Sequence, residues 1–199
     1  NAAGAELNVA VGLSRLGFRV GYISRVGADS LGQFLLDFMA SEGVDTRYVT
    51  VDKTQVTGIM LKSLELEGQD PKVDYFRRGS AASHLSLADQ PPRNLPGVRH
   101  VHLTGIPLAL SDSARELTFE LAKQARADGR LVTFDPNLRP SLWSSKPLMI
   151  ETLNRLAAGA DLVMPGLAEG RLLTGCERAQ DIADFYLQRG ASQVVIKLG

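Results

Sequence analysis

Cysteine is close to absent from this chain. Cys176 is the single residue of its type in 199, which excludes an internal disulfide and a cysteine-built zinc cluster and fits a reducing compartment. An excess of either charge is also missing: lysine plus arginine and aspartate plus glutamate stand at 22 each. No overall field therefore favours nucleic acid or a membrane surface, and a bound anion has to be held by local groups. No apolar run approaches the ~20 residues of a membrane span, and no secretory leader is visible. The expectation is a cytoplasmic protein with no nucleic-acid or membrane partner. Histidine is sparse, and the three present, His84, His100 and His102, lack metal-ligand spacing with acidic partners. They read as structural or surface residues.

Familiar catalytic signatures are missing as well. Gly12 to Gly17 has the glycine spacing of a phosphate-binding loop, but Phe18-Arg19 stands where lysine and serine or threonine are required. Gly27 to Gly32 fails in the same way with Gln33-Phe34, and it lacks the glycine spacing of a dinucleotide site. No Gly-x-Ser-x-Gly elbow occurs. A Walker-type ATPase and a serine hydrolase of the elbow type are therefore not indicated.

What is present is the composition of a globular domain, 44% hydrophobic, and a length that fits one domain over residues 1–199. Leu7, Ala10 and Val11 repeat at helical spacing up to Gly17, and Val20 to Val26 reads as a strand. Asp29 or Ser30 caps a second helix, whose Leu31, Phe34, Leu35, Phe38 and Met39 form a stripe expected to be core. From Thr46 to Arg78 helical spacing disappears. The short runs Tyr48 to Val51, Gly58 to Leu61, Ser63 to Leu66 and Val73 to Arg77 predict a small antiparallel sheet set apart from the main one.

Beyond it, strand-like runs at Val98 to Leu103, Leu131 to Phe134, Leu162 to Met164 and Val194 to Leu198 alternate with helical segments at roughly 113–128, 147–158, 168–174 and 179–189. That alternation predicts an α/β domain with a parallel sheet, right-handed crossovers and helices on both faces. Ligands of such sheets bind beyond the carboxyl ends of the strands. Those ends carry Thr104-Gly105, Asp135 to Arg139, Pro165-Gly166 with Glu169, and Leu198-Gly199.

The densest polar chemistry lies in Asp135-Pro136-Asn137-Leu138-Arg139, where two nearby prolines, Pro136 and Pro140, stiffen the loop. With Asn8, Tyr75, Arg77 and the backbone amides at Gly4, it supplies donors suited to a small, hydroxylated, anionic ligand, since an arginine fork matches carboxylate or phosphate. Gly4 alone reads equally as a tight turn. Taken singly, Arg77 and Arg78 read as a solvated edge, and Asn137 and Arg139 as stabilisers of their own loop.

Gly4 to Ala10 with Leu16-Gly17, Arg25 to Asp29 with Gly32, Gly43-Val44-Asp45, Thr57-Gly58, Tyr75-Phe76-Arg77 with Gly79-Ser80-Ala81, His102 to Ile106, and Asp135 to Arg139 with Leu142-Trp143 keep order and spacing along nearly the whole chain. In these segments the chain resembles the ribokinase-like (PfkB) sugar kinases, and among them those acting on keto-deoxy sugar acids. The resemblance implies a three-layer α/β/α sandwich with a small β-sheet lid at about 46–80. It also implies ATP- and Mg²⁺-dependent phosphorylation of a sugar-acid hydroxyl.

Carried over by position, Gly4, Ala5, Glu6, Leu7 and Asn8 would hold sugar hydroxyls, and Tyr75 and Arg77 would reach in from the lid. Arg139 would hold the substrate and stabilise the transferred phosphate. Asn137, Arg139, Lys197 and Gly199 would serve the nucleotide, and Glu169 would act on magnesium indirectly. An exposed lid edge could pair two copies into a homo-oligomer. Fructokinase and a non-catalytic sugar-acid-binding protein are the competing readings.

Three departures accompany the resemblance. The family's Asn-x-x-Glu appears as Gly166-Leu167-Ala168-Glu169, Met60 stands where relatives can place a tyrosine, and no Gly-Ala-Gly-Asp segment is present. The expectation is a chain incomplete at both ends, lacking the first strand and the catalytic aspartate, and inactive by itself.

Overall fold

The computed structural model describes residues 1–63, 73–93 and 95–198. Its contacts divide into two units, one formed by residues 1–3 and 7–89, the other by residues 4–6 and 90–199.

In the first unit, α1 (Ala5–Arg15, whose first two residues group with the second unit) buries Leu7, Ala10 and Val11, as the apolar spacing predicts. Strand β1 (Gly21–Gly27) leads through α2 (Ser30–Ser41) to β2 (Asp45–Asp52). Asp29 caps α2 by accepting the Gly32 amide at 2.7 Å, satisfying one of the donors left open at a helix start. Two sequence expectations need correction here. Tyr48 to Val51 is not part of a separate antiparallel sheet: it lies in β2, which pairs parallel with β1 in the register Ile23↔Tyr48 and Val26↔Val51. A helical crossover between two strands produces this parallel pairing, and short-range pattern carries no information about it. The α2 stripe is also only partly core. Met39 is buried, but Leu31 and Phe34 are 45% and 47% exposed, because the cluster of Leu7, Ala10, Val11, Met39 and Val44 takes up one narrow side of the helix.

Polar side chains tie this unit together. Asp29 accepts the Thr57 amide at 2.7 Å, and the Thr57 hydroxyl accepts the Gly27 amide at 2.9 Å. Buried Asp89 accepts Arg25 Nε at 2.9 Å and the Thr50 hydroxyl at 2.8 Å, while Arg25 Nη1 reaches Asp52 at 3.1 Å. Strands β3 (Ile59–Lys62) and β4 (Val73–Phe76) form a separate antiparallel pair, with Met60 opposite Tyr75. The predicted run through Leu64, Glu65 and Leu66 lies outside the described residues.

The second unit alternates strand and helix as its sequence predicts: β5 (His100–Thr104), α3 (Gly105–Leu110), α4 (Asp112–Ala127), β6 (Leu131–Asp135), α5 (Lys146–Ala157), β7 (Leu162–Val163), α6 (Leu167–Thr174), α7 (Ala179–Leu187) and β8 (Gln193–Val194). The strands run parallel in the order β5-β6-β7-β8. The fold class is α/β. Alternation sorts the side chains of β5 and β6. Leu103, Val132 and Phe134 enter the core with Leu108, Met149, Leu153 and Ile182, and His100, His102, Thr104, Thr133 and Asp135 take the other face. Of the α-helices described in this unit, α3 is the one without a predicted counterpart. It starts directly at the end of β5, where the Thr104 hydroxyl accepts the Ile106 amide at 3.1 Å.

Candidate functional site

In the second unit the ends of the parallel strands come together through their register. Thr104 lies opposite Asp135 at the ends of β5 and β6, and a bridge between Gly166 and Lys197 joins the segments following β7 and β8. Gly105 can follow Thr104 only because it has no side chain: a Cβ there would stand 2.0 Å from the Pro136 carbonyl oxygen and 2.8 Å from Leu153 Cδ2. The loop after β6 is thereby held against the start of α3.

Charges converge on that loop. Asp135 accepts Lys197 Nζ with both oxygens, at 2.8 and 2.7 Å, and its Oδ1 also accepts the Asn137 amide at 3.1 Å. Glu169, in the first turn of α6, accepts the Leu138 amide at 2.7 Å with one oxygen and the Gly166 amide at 2.7 Å with the other. Lys197 Nζ lies 3.9 Å from Glu169. One ammonium thus stands between two carboxylates, and each carboxylate grips the backbone of the same loop. Between these anchors Asn137 takes φ 40°, the sole positive φ outside glycine among the described residues. Asparagine tolerates this region better than residues with branched or long apolar side chains. Arg139 donates from Nη1 to the Leu138 carbonyl at 2.7 Å, and the buried Thr104 hydroxyl donates to Glu6.

Beside the loop, on the polar face of β5 and β6, His100 Nε2 and His102 Nδ1 both meet the Thr133 hydroxyl, at 2.8 and 2.9 Å. Burial holds both imidazoles below their ordinary pKa. For His102 the charge of His100 adds to that, Asp135 opposes it and Lys197 reinforces it.

Of the residues picked out from sequence, the second unit brings Asn137, Arg139, Glu169 and Lys197 into one cluster and holds Glu6 by its bond to Thr104. Gly4 and Ala5 precede Glu6 in the same unit. The first unit holds Asn8, Tyr75 and Arg77, the last two as a stacked pair with the guanidinium carbon 4.0 Å from the tyrosine ring centre. Leu7 is buried in that unit's core, so only its backbone is left for a ligand. Gly199 lies outside the described residues. Sequence reasoning missed two partners, Thr104 for Glu6 and Asp135 for Lys197. Their shared signal was a polar residue at a strand's carboxyl end.

The whole chain, residues 1–199, matches the model of the pfkB family carbohydrate kinases. The 2-dehydro-3-deoxygluconokinase of Bacillus subtilis is 49% identical over 198 residues, spanning 99% of this chain and 61% of that protein. The fructokinase of Escherichia coli is 34% identical over 206 residues, 97% of this chain and 65% of that protein. Among solved structures, a PfkB protein from Polaromonas sp. JS666 superposes with a TM-score of 0.94 at 49% identity, covering 99% of this chain and 66% of that one. The fructokinase of Vibrio cholerae O395 bound to fructose, ADP and calcium ion gives 0.89 at 30% identity, covering 99% and 63%. The chain spans between about half and two-thirds of the length of the curated relatives it matches.

Proposed function

Because the chain belongs to the pfkB family of carbohydrate kinases, we propose that the protein transfers the γ-phosphate of ATP to a hydroxyl of 2-dehydro-3-deoxy-D-gluconate. The observation that carries this substrate is the 49% identity with a 2-dehydro-3-deoxygluconokinase, against 34% with a fructokinase. Charge supports it. We assign both Arg77 and Arg139 to the substrate, and a neutral sugar would offer nothing to offset the desolvation of two guanidinium groups.

In the first unit we assign substrate binding to Asn8, the Leu7 backbone, Tyr75 and Arg77. The stacking of Arg77 on Tyr75 restricts the guanidinium before any ligand arrives, which lowers the entropy lost on binding. In the second unit Gly4, Ala5 and Glu6 hold sugar hydroxyls. Arg139 holds the substrate and neutralises the transferred phosphate, and Asn137 and Lys197 serve the nucleotide phosphates. Phosphoryl transfer depends mainly on positioning and on neutralising charge at the moving oxygens, and the clamped Asn137-Leu138-Arg139 loop supplies such positioning. Both oxygens of Asp135 and both of Glu169 are engaged, so neither carboxylate is assigned as the acceptor of the substrate proton.

The relative solved with ADP and calcium ion supports a nucleotide and a divalent cation. Among the described residues no group of three or more His, Cys, Asp or Glu is placed to hold an ion. A carboxylate with lone pairs left after two amide bonds fits magnesium carried on ATP phosphates and reached through water, and Glu169 is that carboxylate. When bound, the ion neutralises phosphate charge.

A fructokinase is the second reading, supported by the fructose-bound relative and its TM-score of 0.89. Coupled measurement of ADP release by the full-length protein, with the keto-deoxy acid and with fructose, separates the two. A kcat/KM at least tenfold higher for the acid is expected, and preference for fructose would overturn the assignment.

A further inference from the structure

In the second unit, α4 and the end of α5 border a shallow depression open to solvent, of about 310 Å³, at the lower end of the size that holds organic ligands. Phe119, Ala122, Lys123 and Arg126 line it from α4 at helical spacing, with Arg155 and Leu156 from α5. Burial separates these residues into two groups. Ala122 and Leu156 are buried and Phe119 is half-buried, whereas Lys123, Arg126 and Arg155 are exposed. The floor is apolar, the rim carries three positive charges, and no carboxylate is among the lining residues.

Intramolecular contacts use only part of that rim. Arg126 Nη1 donates to the Ala158 carbonyl at a long 3.4 Å, which caps the end of α5. Lys123 stands 3.6 Å from Glu120, a loose ion pair whose lysine is exposed and whose carboxylate is half-buried. The Arg155 guanidinium carbon lies 4.5 Å from the centre of the Phe119 ring, so its plane is steadied by an aromatic face. A guanidinium has five donors, and one or two contacts leave most of them available. Lys123 is partly compensated by Glu120, which leaves Arg126 and Arg155 as the cations whose mutual repulsion an entering anion relieves. An apolar floor beneath them favours an anion with an apolar body over a bare inorganic ion.

We propose that this depression is a binding site for a small organic anion, an aryl or alkyl phosphate or carboxylate. Its acid group would be held by Arg126, Arg155 and Lys123, and its body would lie on Ala122, Leu156 and Phe119. None of these residues belongs to the strand-end cluster, and the site stands independently of the sugar-kinase assignment.

Phenyl phosphate is the probe. Titrated into the isotope-labelled chain, it should shift amide resonances in residues 119–126 and 155–159, and phenol and inorganic phosphate should each bind at least tenfold more weakly. The Arg126→Ala/Arg155→Ala double variant should lose at least tenfold in affinity with its circular dichroism unchanged, since both side chains are exposed. If that variant does not fold, Lys123→Glu, which reverses one rim charge, must weaken binding at least threefold. Shifts centred at Asn137 to Arg139 or elsewhere, undiminished affinity in the charge variants, or equal binding of inorganic phosphate would each overturn the site.

Discussion

Lys197 donates to both carboxylate oxygens of Asp135, at 2.7 and 2.8 Å, across a gap of 62 residues in sequence. This pair joins the segment after β8 to the end of β6, and it fixes the ammonium over the loop that carries Asn137 and Arg139. Asp135→Asn keeps an acceptor for the Asn137 amide but removes the charge that holds Lys197. The full-length protein should show a KM for ATP raised about fivefold or more with a smaller change in the KM for sugar acid. Because Lys197 is half exposed, stability should fall by only about 1 kcal/mol, which urea unfolding would measure.

Glu169 offers a sharper contrast. Its two oxygens accept two amides from different segments, and a glutamine can accept with only one atom while its NH₂ faces the other donor. Glu169→Gln should therefore cost about 1–3 kcal/mol, the usual penalty for a partly buried donor left unpaired. Faster hydrogen exchange at either Leu138 or Gly166 would locate the lost bond. Protection unchanged at both amides would contradict this reading.

Asn137 sits at φ 40°. Replacing it by alanine puts a Cβ into the left-handed region without the local hydrogen bonding open to asparagine, at a cost of about 1 kcal/mol. Asn137→Gly should cost less than Asn137→Ala when the two are compared by chemical denaturation. Both should impair phosphoryl transfer, which separates the backbone contribution from that of the side chain.

In the first unit, the amide of Thr57 and then that of Gly32 hold the Asp29 carboxyl below its ordinary pKa. A depressed carboxyl contributes stability that is complete above the unfolded value, about 4, and is lost as pH falls through the folded value. Asp29→Asn should accordingly flatten the acid side of the stability profile. Thermal melts at pH 7 and pH 3 should differ less for the variant than for the parent chain.

Much of the second unit was legible in sequence because its strands and helices differ in apolar period. Leu131 to Phe134 and the α4 and α5 segments read correctly from that alone. The partner of a strand is another matter. Tyr48-Val49-Thr50-Val51 announces a strand by composition, but only α2 crossing back over β1 makes it parallel. The exposure of Leu31 and Phe34 was hidden for a similar reason, since the width of a helix's buried stripe depends on what packs against it. At the candidate site, Asn137, Arg139, Glu169 and Lys197 were readable as residues. The cross-links from Asp135 to Lys197 and from Thr104 to Glu6 were not, because each joins strand-end segments that only the folded register brings side by side.

The alternation along β5 and β6 ties the chemistry to the core by a count of residues. Val132 and Phe134 reach the interior because Thr133 and Asp135 do not. One residue inserted in the turn at Gly129 and absorbed by a shift of β6 would exchange the two sets. The Phe134 ring would then face the Lys197 ammonium, and a carboxylate would enter the packed interior. This strand has no neutral slip, so errors in its pairing would abolish folding and the candidate site together.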